Sequence, residues 1–132
     1  MANENVELLR RGLAALRSAG YEALLPYIHP EFVATVPPAL SVEPDTYRGR
    51  EGVRRYFESF YEVIDEVRFE PEDFIPAGER VVVPLAVVVR GRGSGAEAVQ
   101  RVVQVWEFRD GLAAGVEVFA TLTEALAAAH QA

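Results

Sequence analysis

The stretch Glu97-Ala98-Val99-Gln100-Arg101-Val102-Val103-Gln104-Val105-Trp106-Glu107-Phe108-Arg109-Asp110-Gly111 carries the pattern that decides the fold. Val102, Gln104, Trp106 and Phe108 alternate with Val103, Val105 and Glu107. A period of two held over this length specifies a strand. It also specifies which side chains share a face, because a slip of one residue would move the whole set to the other side. Asp110-Gly111 is a hairpin dipeptide, since both residue types accept positive φ, so a last strand is expected over Leu112 to Phe119. Upstream, Arg80 to Arg90 is valine-rich and strongly β-forming, and Pro84 within it marks a bulge or an edge. The glycine-rich run Gly91 to Gly95 joins it to the strand from Glu97. A β pattern follows this run where a phosphate loop would open a helix, so a flexible hairpin is expected there.

Helical spacing governs the first half of the chain. Val6, Leu9, Leu13 and Leu16 recur on one stripe between Asn3 and Arg17, with Gly20 to end the helix. Tyr21 to Ile28 supplies a second short apolar turn, stopped at His29-Pro30 because a residue before proline is pushed out of the helical region. Phe32 to Val36 reads as a strand, and Pro37 to Tyr47, with its prolines, as a loop at the rim of a pocket. A third helix carries Val53, Phe57, Phe60 and Ile64 on one stripe, flanked by Tyr56 and Tyr61. Arg68 to Ile75 is an edge strand interrupted by Pro71. Thr121 with Glu124 forms a capping box for a terminal alanine-rich helix. The expected architecture is one α+β domain over residues 1–132. Helices pack on one face of a curved, mostly antiparallel sheet, leaving a pocket between the layers.

Composition narrows the chemistry. The 132 residues carry twenty acids against thirteen bases, a formal charge of −7, and every base is arginine. Nucleic acid is therefore not expected as a partner. The chain has no cysteine and only His29 and His130 as imidazoles, which removes thiolate chemistry and a zinc cluster. No cofactor or metal is expected. The apolar runs are too short to span a bilayer, and the first residues lack the order of a secretory signal, so no membrane partner and a cytoplasmic address are expected.

Tyr47-Arg48-Gly49-Arg50-Glu51-Gly52-Val53, then Phe69-Glu70-Pro71, then Val105 to Gly111, in this order and spacing, resemble the SnoaL-like, polyketide cyclase-like members of the NTF2-like superfamily. The resemblance runs from about His29-Pro30 to Glu124-Ala125-Leu126. It implies a cone-shaped fold with three helices of the N-terminal half enclosing a pocket and a short C-terminal helix. The superfold hosts cyclases, steroid isomerases, dehydratases and members without chemistry, so the resemblance bears on fold more than on activity. Two of its catalytic positions are not acidic here. The aspartate that such cyclases carry near the end of the last strand corresponds to Phe119-Ala120-Thr121, and the isomerase aspartate after the first strand to Val36-Pro37-Pro38.

Chemistry must then come from other residues. Glu117 is the one carboxylate inside the last strand; on the concave face it would be a general base with its pKa raised by apolar walls, and on the other face a solvated acid. Phe119 shares its face. His29 is a candidate acid or base, or a histidine completing a helix C-terminus. Gln104 is a polar outlier on the face of Trp106 and needs partners, whether a ligand oxygen or a neighbouring group. Trp106, Tyr56, Phe57, Phe60, Tyr61 and Phe119 are the expected apolar and hydroxyl-bearing ligand contacts. The expected function is a homodimeric small-molecule pocket protein performing cofactor-free isomerisation, cyclisation or hydration of an apolar carbonyl compound. The alternatives are a non-catalytic binding or dimerisation module of the same fold, and a transport adaptor, which would need an exposed apolar patch.

Overall fold

The computed structural model describes residues 2–36, 45–61 and 64–130. Helix α1 (Ala2–Ala19) buries Leu9 and Leu13, with Val6 and Leu16 partly covered, so the expected stripe faces inward. Gly20, at φ 87°, turns the chain into the short helix α2 (Tyr21–Leu24) and a 3-10 turn, Leu25–Tyr27. Strands β1 (Ile28–Val36) and β2 (Asp45–Arg48) precede helix α3 (Gly49–Tyr61). Then come β3 (Ile64–Pro71), β4 (Ile75–Ala77), β5 (Arg80–Gly91), β6 (Glu97–Arg109) and β7 (Leu112–Phe119). Helix α4 (Leu122–Ala129) starts at Thr121, whose side chain accepts from the Glu124 amide at 3.2 Å.

The strands form one curled seven-stranded sheet in the order β2-β1-β7-β6-β5-β3, with β4 also on β5. All pairs are antiparallel except β1 with β7. With helices over its concave side, this is a cone-shaped α+β fold. The β6–β7 turn is Asp110-Gly111, both at positive φ (55° and 74°), which matches the right-handed twist of the strands it joins.

The prolines fall where the ladder is already broken. β3 pairs with β5 as far as Pro71↔Leu85, and β4 resumes at Ile75↔Val82. Pro84 lies in this gap, where its carbonyl still accepts from the Glu72 amide at 2.8 Å. A proline can therefore sit in an interior strand at no loss of a ladder bond. Pro30 lies inside the irregular register between Ile28 and Val33 on β7, so β1 begins at Ile28 rather than at Phe32.

Two further sequence expectations are corrected. Ile64, placed on the α3 stripe, begins β3 and pairs with Gly91, because α3 ends at Tyr61. Asp45 to Tyr47, placed in a loop, belong to β2, which pairs along β1 (Val36↔Asp45, Ala34↔Tyr47). A strand of four residues is too short to display a period. The rest of that expected loop, 37–44, lies outside the described residues.

The sheet has two apolar faces. The concave one presents Val81, Val83, Leu85 and Val87 of β5 with Val102 and Trp106 of β6 to Leu9, Leu13, Leu24, Val53 and Phe57 of the helices. The convex face presents Val82, Val103 and Val105 to Ala125 and Ala129 of α4. The helices are thus not all on one face as expected. The small side chains of α4 let it lie close against the convex valines, leaving the concave side to α1, α2 and α3.

Candidate functional site

The strand register decides what reaches the interior. In the β6–β7 pair, Gln104 stands opposite Val118 and Trp106 opposite Val116, while Val105 stands opposite Glu117 and Val103 opposite Phe119. Val105 and Val103 pack under α4, so Glu117 and Phe119 share the convex face and Gln104 and Trp106 the concave one.

Between the concave face and the helices is a cavity of about 60 Å³. At ~10–15 Å³ per water-sized site, it admits about five waters or a ligand of comparable size. Its floor is Phe32, Ala34, Gln104, Trp106 and Val116; α3 contributes Val53, Tyr56 and Phe57, and α1 contributes Leu13 and Leu16. Phe57 is the hub of the aromatic wall. It stacks on Tyr21 (5.5 Å between centroids) and meets Tyr56 and Phe69 edge-on at 5.4 and 5.6 Å. Such contacts hold ring positions with little rotamer freedom.

Polar groups on this wall are few among the described residues: Gln104, Tyr47 and Tyr56. The Trp106 indole Nε1–H donates to Gln104 Oε1 at 2.9 Å. Tyr47 is fully buried, and its ring meets that of Tyr56 edge-on at 5.1 Å. Burial, with Tyr47 beside it as a lesser cause, pushes the Tyr56 phenol well above the ordinary tyrosine range. Tyr56 is accordingly a neutral hydroxyl at every physiological pH.

The loop that delivers α3 to this wall is shaped by the Tyr47 to Val53 motif. Gly49 has φ 68°, and a Cβ there would stand 3.2 Å from the Pro30 carbonyl oxygen. A Cβ at Gly52 would come within 2.9 Å of the Tyr47 carbonyl carbon. Arg50 Nε donates to the carbonyls of Leu25 (3.2 Å) and Ile28 (3.1 Å), tying the start of α3 to the 3-10 turn and to the first residue of β1.

The SnoaL-like domain model matches residues 9–116. The chain belongs to the SnoaL-like family. Solved structures of similar fold include an NTF2-like protein of unknown function from Burkholderia pseudomallei K96243. It is 26% identical, with 92% of this chain and 93% of that one covered and a TM-score of 0.78. TerC, co-crystallised with polyporic acid, is 25% identical over 97% of this chain and 99% of its own, with a TM-score of 0.79. A protein of ketosteroid isomerase-like fold from Catenulispora acidiphila DSM 44928 is 16% identical over 92% and 90%, with a TM-score of 0.73, and shows the fold alone. No curated protein matches the chain.

In this SnoaL-like chain the sequence-named residues separate into three groups. Gln104, Trp106, Tyr56 and Phe57 are together on the cavity wall. Glu117, His29 and Phe119 are not. Glu117 is exposed and lines a groove on the convex face, because the register that turns Val116 and Val118 inward turns it outward. Phe119 packs with the α4 cluster for the same reason. His29 lies on β1 rather than at a helix C-terminus, beside the β6–β7 turn. Its Nδ1 accepts from the Glu31 amide at 3.0 Å, and its Nε2 faces Asp110 Oδ2 at 3.2 Å. The backbone donor on Nδ1 assigns the proton of the neutral ring to Nε2. Phe60 and Tyr61 have side chains outside the described part.

Sequence reasoning missed Tyr47, Phe69, Phe32, Ala34 and Val116 as lining residues. The alternation of β7 would have paired Val116 with Trp106 had the register been known. Tyr47 offered no signal beyond its place in the Tyr-Arg-Gly motif.

Proposed function

We propose that this protein binds a small, largely apolar molecule in the concave cavity and holds it by hydrogen bonding rather than by proton transfer through Glu117 or His29. The observation that carries this reading is the make-up of the wall: among its described residues there is no carboxylate and no imidazole, and its polar groups are one amide and two phenols. A general base needs to lie within hydrogen-bond reach of the proton it takes, and the two sequence candidates lie elsewhere. The similarity to TerC, co-crystallised with polyporic acid, supports a small-molecule ligand. The cytoplasmic address expected from the sequence is part of the same proposal.

Trp106 is the single tryptophan of the chain and lines the cavity, so its emission reports occupancy directly. Titration with small cyclic ketones is expected to change Trp106 emission saturably. Ala34→Leu, which fills the floor, should weaken that response at least about tenfold while the fold melts normally. No saturable change with any of these ligands, or turnover that disappears in Glu117→Gln, would overturn the reading.

The proposal includes a homodimer through the convex face. A groove of about 660 Å³ there is lined by Val33, Thr35 and Val105 together with both charge signs, Arg80 and Arg109 against Glu31, Glu107 and Glu117. A two-fold interface requires a patch that complements itself, and mixed charges around apolar strand residues supply one. The adaptor alternative has less support: the exposed large hydrophobic residues among those described are Val99 and Leu122 alone.

A further inference from the structure

Among the described residues Gln104 is the only amide on the cavity wall, and what it offers a ligand depends on which end faces in. An amide has an acceptor end and a donor end that are nearly indistinguishable by shape. Here a neighbour decides between them. The Trp106 indole N–H donates and cannot accept, and it lies 2.9 Å from one end of the Gln104 side chain. That end must be the carbonyl oxygen Oε1. Turned over, the amide would set N–H groups against each other in a half-buried place and lose that hydrogen bond, leaving the indole N–H without it. Trp106 is itself held. It is buried in the core cluster, and its ring lies against Phe32 with centroids 6.2 Å apart. The remaining end, Nε2, has no hydrogen-bond partner among the described residues, while every fully buried side-chain polar atom has one. Nε2 therefore has open space before it, on a residue that lines the cavity.

We propose that Trp106 is a positioning residue that locks Gln104 as a donor-only pole, so that this end of the cavity favours ligands presenting a hydrogen-bond acceptor, a ketone or enolate oxygen, over ligands of the same size presenting an N–H. This rests on the reading of the cavity as a ligand site. The selectivity is a difference of affinities in which the rejected ligand brings a donor against a donor. It does not depend on catalysis, and it makes the tryptophan's role electronic and orientational rather than only steric.

Two probes of a size suited to the cavity separate the possibilities. Cyclopentanone accepts and cannot donate, whereas pyrrole donates through N–H and has no in-plane lone pair to accept with. Both are titrated into the ¹⁵N-labelled full chain, following the Trp106 indole resonance and the Gln104 side-chain amide, and again in Gln104→Leu and Trp106→Phe, following cavity backbone amides. The affinity ratio of cyclopentanone to pyrrole is the readout, because comparing one ratio across variants cancels the hydration of the probes. The ratio is expected to fall about three- to tenfold in both variants, the span of one net hydrogen bond. Without ligand, the Trp106 indole proton should exchange with water faster in Gln104→Leu than in the parent, a test that stands even if Trp106→Phe fails to fold.

Binding of both probes with a ratio unchanged in Gln104→Leu overturns the donor pole and leaves the ligand site standing. A ratio that falls in Gln104→Leu but not in a folded Trp106→Phe overturns the positioning role. Failure of both probes to bind the parent removes the ligand site itself for ligands of this size, and the pole with it.

Discussion

Tyr56 and Glu117 show how environment, more than residue type, assigns roles at the residue scale. The Tyr56 phenol is held above its ordinary value of 10.0, chiefly by burial. A group whose folded pKa is raised keeps its full contribution to stability below the unfolded value and loses it as pH rises beyond. Folding stability is therefore expected to fall from about pH 10 upward, and less so in Tyr56→Phe, as read from urea melts at successive pH values. In absorbance titration, the Tyr56 phenol should resist ionisation until the chain unfolds. Glu117 is exposed on the convex face. Glu117→Gln is expected to leave cyclopentanone affinity unchanged in the titration that reads Gln104. A threefold or greater change would return Glu117 to the site. The face of Glu117 was not legible in its own strand, because Val116, Val118 and Phe119 place hydrophobic residues on both sides of the alternation. It became decidable only through the pairing of Val105 with Glu117.

At the element scale, the family motifs prove to be mostly joints. The Tyr47 to Val53 run buries Tyr47, turns at Gly49 and lets α3 approach β2 at Gly52, where a side chain would meet backbone. Gly52→Ala is expected to cost about 1–3 kcal/mol in chemical denaturation, because the neighbour that must move is main chain. In the β6–β7 hairpin, Arg109 pairs with Glu31 at 2.8 Å and Asp110 with His29 at 3.2 Å, joining the turn to the start of β1. The His29 side chain is 12% exposed and that of Asp110 78%, which suits a strut at the rim rather than a buried catalytic pair. Helix α4 depends on its cap, and Thr121→Ala is expected to cost about 1 kcal/mol, measured by the same denaturation. The β5, β6 and β7 spans and the α4 cap were readable because period, turn dipeptide and capping box are local signals. The β2 strand and the end of α3 were not, because a strand of four residues has no period and Ile64 continues the helical stripe by coincidence of spacing.

For the whole molecule, the convex face divides into a part covered by α4 and a part carrying the groove around Thr35 and Glu117. If that groove is the dimer face, the protein should elute with twice its monomer mass in light-scattering chromatography. Thr35→Arg, an exposed strand position, should then give monomers with little change in intrinsic stability. A monomeric parent would exclude the interface.

By itself the sequence determined the elements with long periods, the hairpin, the family resemblance and the kinship of Gln104 and Trp106 on one face, all of which follow from local spacing. Tertiary structure alone decided which face that was, the parallel pairing of β1 with β7 and the removal of Glu117, His29 and Phe119 from the cavity. The reason is that a period of two defines two faces without saying which one is inside. That choice belongs to helices and strands distant in sequence, and one register between β6 and β7 settled it for Gln104, Trp106, Glu117 and Phe119 together.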